Sequence, residues 1–313
     1  MLGLLSRLIS SPWAISLEHS QQFLPIVAGL MTHTGPRLGV ENLAELRAEA
    51  APKDFVATVA GSGIIAYGAR QKAAAGGGTG GTNDGIIVRV MNVSGPVMKA
   101  DQECGPRGLM SLANDLQATA RDQDISSVLM KIDSPGGQVF GTQSVVDGVK
   151  ACQAAGKPVV ALCEDGLMCS AAYWIGSATN TIIATHETCT IGSIGVMASW
   201  MDAQPYLEKM GVKFHEVYAE QSTQKNADFV AASKGDYKAV QANLTAIAGG
   251  FLGAVRANRA GKLNEKLFEK SGAAAGKAGY ASWAGEIGLI DAMGSFQDAI
   301  GECVRLVQAQ KRP

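Results

Sequence analysis

Short runs of β-branched residues alternate with helical segments from Gly85 onward, and this alternation constrains the fold more than any other feature. Such runs, bounded by turns, are typical of buried strands, and apolar residues at three- and four-residue spacing are typical of helices that cover a sheet. Strands are predicted at residues 86–90, 127–132, 158–162, 181–184 and 214–218, and helices at 109–120, 143–155 and from about 170. The pattern predicts an α/β fold with a mostly parallel sheet.

The segment at residues 73–84 separates this domain from the N-terminal region, because its run of Ala, Gly and Thr cannot bury enough surface to offset its ordering entropy. It is predicted to be a linker or loop. Residues 1–72 form a partly flexible N-terminal region with a helix at 40–51 and a short strand at 55–59. Residues 85–313 form the main domain, which ends in helices at 237–259 and 296–310.

The composition excludes several functions. Lys and Arg total 27 against 28 Asp and Glu, so no basic field exists to bind nucleic acid. The six cysteines form no C-x-x-C pair and have no histidine at ligand spacing, which predicts no metal and no cofactor. No apolar run reaches the roughly 20 residues of a spanning helix, so we expect no membrane anchor. The apolar runs of residues 1–17 are too short and interrupted for a signal peptide, so we expect no secretion. Cysteines of a protein that is not secreted are expected to be reduced thiols.

Two motifs follow predicted strands. Asp-Ser-Pro-Gly-Gly at residues 133–137 has adjacent glycines whose N–H groups can approach a ligand, as an oxyanion hole requires, although a plain strand-to-helix turn has the same pattern. Ser170 lies where a helix begins after a strand, and there it is either a nucleophile or a helix N-cap. The two motifs are one helix and one strand apart (170 − 137 = 33), so both loops are expected at neighbouring strand ends.

These motifs, with Thr-Ile-Gly-Ser-Ile-Gly-Val at residues 190–196, resemble the signature of the signal peptide peptidase A family, which includes head-maturation proteases of tailed phages. The resemblance runs from about residue 85 to 294. It implies a Clp-protease and crotonase type of fold, a spiral of ββα units with a mostly parallel sheet that assembles into homo-oligomers. It also implies a serine endopeptidase that uses a Ser-Lys dyad.

The resemblance assigns Ser170 as nucleophile and Lys225, 55 residues downstream (225 − 170), as general base. The family pattern Ser-Gly-x-x-Lys falls on residues 222–225, with Thr223 in place of the glycine. Gly137 and Ala171 are the expected oxyanion donors, and Ser193 is either the residue that orients the lysine or a turn serine. A free lysine has a pKa of about 10.4, so a lysine base must be buried in the assembled enzyme.

Other residues fit these roles less well. Lys213 lies at the start of a predicted strand and Lys234 in a polar stretch, and both are interpreted as solvated side chains. His186 and His215 are the histidines beyond the Gly-rich segment, and neither has a catalytic context. Cys169 adjoins the predicted nucleophile, but successive helix positions face different directions, so it is interpreted as a small packed residue.

The peptidase interpretation leaves alternatives. A crotonase-like acyl-CoA enzyme needs a carboxylate near the second motif, where Ser170 stands instead. A catalytically inactive assembly protein is favoured if Lys225 is exposed. Among peptidases, a signal-peptide-degrading enzyme carries an N-terminal anchor, whereas residues 11–15 resemble the opening of phage head proteases. We therefore expect the substrates to be scaffold, capsid or portal proteins, processed in the host cytoplasm or inside the prohead.

Overall fold

The computed structural model describes residues 13–15, 54–60, 63–68, 85–102, 106–200, 202 and 204–311. The predicted helix at 40–51 and the Gly-rich segment at 73–84 lie outside the described residues. The strands are β1 (Trp13–Ile15), β2 (Phe55–Ala60), β3 (Gly63–Gly68), β4 (Ile86–Ser94), β5 (Ser127–Ser134), β6 (Gly136–Gln138), β7 (Val159–Cys169), β8 (Thr181–Ala184), β9 (Thr190–Gly192), β10 (Ala278–Tyr280) and β11 (Ala292–Met293).

The main helices of the described ranges alternate with these strands or follow them. They are α1 (Leu109–Arg121), α2 (Thr142–Ala154), α3 (Ala171–Ser177), α4 (Gln204–Lys209), α5 (Ala227–Ser233), α6 (Lys238–Asn258), α7 (Glu265–Lys270), α8 (Ala281–Ile287) and α9 (Phe296–Lys311). None of the helices in these ranges is both long and apolar enough to cross a membrane.

The main sheet has the strand order β10-β9-β7-β5-β4-β2-β3, with β8 beside β7 and β11 beside β8. The central pairs β4–β5, β5–β7, β7–β8 and β7–β9 are parallel, and β2, β3 and β10 add antiparallel edges. The predicted mostly parallel α/β sheet is confirmed. Strands β2 and β3 lie before the Gly-rich segment, so the sheet takes residues from both sides of it.

Strand β7 positions the site because it has two parallel neighbours on the same side. Its first half pairs Val160 with Thr181 of β8, and its last residues pair Cys169 with Gly192 of β9. The change of neighbour falls at Asp165, which has a positive φ of 47°, and at the following Gly166. The end of β7 is thereby directed away from β8 and towards β9.

Helices cover both faces of the sheet. On one face α1 buries Leu109, Leu112, Ala113 and Leu116, which share a stripe of the helix because they recur every three or four residues. Helices α2 and α3 join the same core. On the other face α9 buries Ala299, Ile300 and Cys303 against the central strands, so this helix is a cover within the chain.

The strand predicted at residues 214–218 is absent from the described structure. Those residues have no strand partner and are exposed, and Val217 retains 95% of its accessible surface. Their β-branched and aromatic composition favours a strand, but a strand needs a neighbour for its backbone groups. The prediction was therefore wrong.

Candidate active site

The first motif forms a sharp corner between β5 and β6. The Gly136 N–H donates to the buried Ser134 hydroxyl (3.2 Å), and Gly136 itself has a φ of 96°. The Gly136 carbonyl accepts from the Val97 N–H (2.9 Å), and the Gln138 N–H donates to the Val97 carbonyl (2.8 Å). Backbone groups of successive strand residues point to opposite edges, so the Gly137 N–H points away from Val97.

Gly137 is required by the close approach of this neighbouring segment. A Cβ at position 137 would lie 2.0 Å from the Val97 carbonyl oxygen, far inside van der Waals contact. Only glycine therefore fits here, and its N–H remains directed at the edge opposite Val97.

The Asp133 carboxylate connects the first motif to the segment before Ser170. Its Oδ1 accepts a hydrogen bond from the Leu167 N–H (3.0 Å). A Cβ on Gly166 would lie 2.1 Å from the same oxygen, so the contact requires glycine there. This positioning role was not predicted from the sequence; the glycine at position 166 is the signal from which it could have been inferred.

Ser170 lies at the turn between β7 and α3 with an unusual backbone conformation. Its φ of 54° and ψ of −122° are strained for any residue with a Cβ. The Ser170 N–H donates to the Gly192 carbonyl (2.7 Å), and its own carbonyl accepts from the Trp174 N–H (2.9 Å). A strained serine between a strand and a helix is the geometry of a nucleophile elbow.

The Ser170 side chain is enclosed, with 1% of the residue exposed. Its hydroxyl makes no capping hydrogen bond to α3 and instead lies 3.4 Å from the carbonyl oxygen of Gly195, to which it donates. The alternative interpretation as an N-cap serine is therefore set aside. Ala171 follows as the first helical residue, where a backbone N–H has no partner within the helix.

The strand register brings the first two motifs together. Ser134 of β5 is paired with Met168 of β7, so Gly136 and Ser170 each lie two residues beyond a paired position at the same end of the sheet. Helix α3 also packs against β6. The expectation that both loops lie at neighbouring strand ends is met.

The third motif wraps around Ser170 from the β9 side. Gly192 and Gly195 supply the two carbonyls that accept from the Ser170 N–H and hydroxyl. Ser193 lies between them with a positive φ of 52°, and its N–H donates to the Lys277 carbonyl (3.1 Å). Ser193 is thus close in the chain to both contacts of Ser170 and is half-buried.

Lys225 lies apart from these motifs. Its side chain is exposed, and its backbone N–H closes a turn on the Ser222 carbonyl (3.1 Å). Within the described ranges no hydrogen bond or ion pair joins it to Ser170. It lines an open surface cavity of about 680 Å³ together with Tyr218, Glu220 and Lys234.

The segment that carries Lys225, residues 204–237, exposes a large amount of apolar surface; we call it the apolar segment. The exposed fractions are 64% for Tyr206, 65% for Met210, 53% for Phe214 and 59% for Phe229. Several large apolar side chains exposed within one short segment are a feature of interaction sites in soluble proteins. The described residues therefore leave the surroundings of Lys225 exposed.

Two other lysines are candidates for the base. Lys157 is buried, which lowers its pKa, but its ammonium donates to the carbonyls of Thr119 (2.7 Å) and Asp122 at the end of α1. It precedes β7, whereas Ser170 follows it, so the eleven residues of the strand separate them. Lys277 is exposed, with its ammonium over the Trp283 ring at 5.8 Å from the centroid.

The structure does not support a cysteine or a histidine as the catalytic residue. Cys169 is buried, burial raises the pKa of its thiol to about 12, and the thiol donates to the Thr190 carbonyl (3.4 Å). It is therefore a packed, neutral thiol. His186 and His215 are exposed, and in the described structure neither makes a hydrogen bond to Ser170.

Comparisons with known proteins agree with the motifs. The chain is 27% identical over 224 residues to protease 4 of Haemophilus influenzae, covering 72% of this chain and 35% of the relative. It is 32% identical over 136 residues to capsid assembly protease C of Escherichia phage lambda, covering 42% of this chain and 30% of the relative. It thus spans about a third of the length of these relatives.

Among solved structures, a serine-to-alanine mutant of the membrane-bound stomatin-specific protease 1510-N matches with a TM-score of 0.41 and 12% identity, covering 69% of this chain and 82% of that one. The model of peptidase family S49 matches residues 151–310, which include Ser170, Ser193 and Lys225. This match spans half of the chain, and the resemblance inferred from the three motifs is confirmed. The chain belongs to peptidase family S49.

Proposed function

We propose that this chain is a serine endopeptidase in which Ser170 is the nucleophile and Lys225 the general base. The observation that carries the proposal is the strained, enclosed Ser170 at the end of β7, with its hydroxyl free of any capping role. Backbone strain of this kind costs of order 1–3 kcal/mol and persists where it serves a function. Membership of a peptidase family supports the same role.

The reaction follows from the proposed roles. A neutral Lys225 amine takes the proton of Ser170 as the serine oxygen attacks the scissile carbonyl carbon, and it later gives that proton to the leaving amine. The N–H groups of Gly137 and Ala171 stabilise the oxyanion, and one such donor contributes about 10²–10³-fold to the rate. Water then hydrolyses the acyl-enzyme. Ser193 orients the lysine.

Because Lys225 is exposed in the described structure, the proposed mechanism requires that the chain assemble with other molecules. An inactive assembly protein is the competing interpretation, since a lysine exposed to solvent lacks the desolvation that a lysine general base requires. We propose that further copies of the chain cover the apolar segment, and that this contact desolvates the lysine and places it beside a serine.

The proposed substrates are scaffold, capsid or portal proteins of a phage head, on the basis of similarity to capsid assembly protease C. Degradation of signal peptides, which the family resemblance also includes, is the second candidate, because the similarity to protease 4 extends over more of this chain than the similarity to capsid assembly protease C. A co-expressed scaffold protein and a synthetic signal peptide, offered to the same preparation, separate the two roles.

The test compares cleavage of an unfolded protein by the wild type, Ser170→Ala, Lys225→Ala, Lys277→Ala and Lys234→Ala, each checked for folding and assembly. We expect Ser170→Ala to abolish cleavage and Lys225→Ala to lower its rate by about 10²–10⁴-fold. Lys234→Ala is the matched control because it lines the same cavity as Lys225, and it should retain activity.

Two results would contradict the assignment. Activity in assembled Ser170→Ala refutes the serine mechanism. Loss in Lys277→Ala with activity retained in Lys225→Ala means that the base is Lys277.

A further inference from the structure

Strand β1 (Trp13–Ile15) pairs antiparallel with β6 (Gly136–Gln138), the strand that carries the proposed oxyanion donor. The two strands form a separate two-stranded sheet, so β1 is bound to the main domain through this edge. An extended peptide that adds a strand to an open edge is a general mode of peptide recognition. The N-terminal segment therefore occupies an edge on which a peptide can bind.

The register identifies the bond that faces the site. Val97 uses the backbone groups of Gly136 and Gln138 on one edge of β6, which leaves the Gly137 N–H and carbonyl for the other edge. Ala14 is the residue paired with Gly137. In an antiparallel ladder such a pair exchanges both backbone hydrogen bonds, so the Ala14 carbonyl is the acceptor for the Gly137 N–H.

Ser170 lies at the same end of the sheet. The Ser134–Met168 pairing places it beside the corner that leads into β6, and α3 packs on β6. The carbonyl that receives the oxyanion donor is the one that a serine nucleophile attacks. If Gly137 is the oxyanion donor, its pairing with Ala14 makes Ala14 the residue whose carbonyl Ser170 would attack.

We propose that β1 is an intramolecular substrate and that the protein cleaves its own Ala14–Ile15 bond; this rests on the proposed function. The Ser170 oxygen bonds to the Ala14 carbonyl carbon, the carbon–nitrogen bond to Ile15 breaks, and the Ile15 amine leaves with the proton taken from Ser170. Water hydrolyses the acyl-enzyme, which yields a free Ala14 carboxylate and restores the serine. The processed chain begins at Ile15, and the edge of β6 becomes free for other substrates.

The test is intact-mass analysis and N-terminal sequencing of the wild type, Ser170→Ala and Ala14→Pro, with an unfolded test protein assayed in parallel. We expect the wild type to begin at Ile15 and Ser170→Ala to keep the bond. Proline at position 14 has no N–H for the Gly137 carbonyl, so it also weakens the pairing of β1 with β6. Ala14→Pro should therefore keep the bond while leaving the edge of β6 open, and it should still cleave the test protein.

The outcomes separate the two proposals. A wild type that cleaves the test protein through Ser170 but keeps the Ala14–Ile15 bond overturns self-cleavage and leaves the peptidase function standing. Cleavage at this bond in Ser170→Ala assigns it to another protease and also overturns the proposal. A wild type that cleaves neither the test protein nor its own Ala14–Ile15 bond contradicts both proposals.

Discussion

Ser170 combines a backbone conformation that suits glycine with a side chain that glycine lacks. Its φ of 54° is accompanied by near-complete burial and by hydrogen bonds of its N–H and carbonyl to Gly192 and Trp174. These contacts fix the turn and keep the strained conformation populated. The serine is therefore retained at a cost in stability, as expected where the side chain has a chemical role.

Replacing this residue should reveal that cost. We expect Ser170→Gly to be more stable than Ser170→Ala by about 1–2 kcal/mol, because glycine adopts positive φ without a steric penalty. Ser177 in α3 is the matched control, since it is equally buried but has no positive φ. There glycine should be less stable than alanine by about 0.5–1 kcal/mol. Chemical denaturation of the four variants gives the comparison, and the same sign at both serines would refute the strain.

Sequence and structure agree on which single residues surround Ser170, the proposed nucleophile. The three motifs predicted Gly137, Ser170 and Ser193 in one region, and the register of β5 with β7 explains their spacing. The backbone angles of Ser170 and the hydrogen bond of Asp133 could not be predicted, because both are set by contacts between segments that are distant in sequence. The setting of Lys225 could not be predicted from sequence either, because its exposure in the described structure depends on which segments pack around it.

At the scale of elements, the site depends on how the ends of β5, β7 and β9 are fixed to one another. Asp133 bonds to the Leu167 N–H across the β5–β7 boundary, and the Ser170 N–H bonds to the Gly192 carbonyl across the β7–β9 boundary. Each bond bridges strands at the point where regular pairing stops. The elbow is thereby supported from both sides.

A double-mutant cycle tests the Asp133 bridge. Gly166→Ala should destabilise the protein by about 1–3 kcal/mol, because the new methyl group overlaps the Asp133 carboxylate. Asp133→Ala removes that carboxylate, so adding Gly166→Ala to it should cost markedly less. Urea denaturation gives the four free energies of unfolding. Strictly additive values would show that the two positions do not interact.

Most helices and central strands could be predicted because local patterns specify them. Helices α1, α2, α6 and α9 lie within one or two residues of their predicted bounds, and β5 and β8 were equally clear. The short strands β10 and β11 were not predicted, because a run of two or three residues is too short to show the alternation of apolar and polar positions that indicates a strand. The strand expected at residues 214–218 shows the opposite failure, because a sequence suited to a strand found no neighbour to pair with.

For the molecule as a whole, the buried Arg259 links the C-terminal helices to the sheet. The Arg259 guanidinium is 1% exposed and contacts Asp291 (2.8 Å) and the Gly288 carbonyl (2.8 Å). Asp291 also accepts from the Ile182 N–H of β8 (2.7 Å). Burial alone would raise the pKa of Asp291, but the hydrogen bonds and charge of Arg259 outweigh it and lower that pKa below its usual value.

Asp291→Asn should lower the free energy of unfolding by about 3–5 kcal/mol near pH 7, because it leaves Arg259 buried without its partner. The lowered pKa means that the carboxylate contributes fully above the unfolded value of about 3.9 and less as the pH falls through the folded value. The difference between wild type and variant should therefore shrink below about pH 4. Urea denaturation from pH 7 to 3 measures it, and a difference independent of pH would contradict the assignment.

Glu265→Gln provides the control for this experiment. Glu265 pairs with Arg256 on the surface, where both side chains are more than a third exposed. Exposed pairs contribute about 0–1 kcal/mol, so this variant should unfold close to the wild type. A loss as large as that of Asp291→Asn would mean that burial is not what distinguishes the two pairs.

The enclosed Ser170 and the exposed Lys225 have a consequence for kinetics. If catalysis needs the apolar segment to be covered by further copies, specific activity depends on protein concentration, and a dilute subunit is inert. Proteolysis would then begin only where many copies crowd together, so that local density, and no separate activator, decides when and where the chain starts to cut.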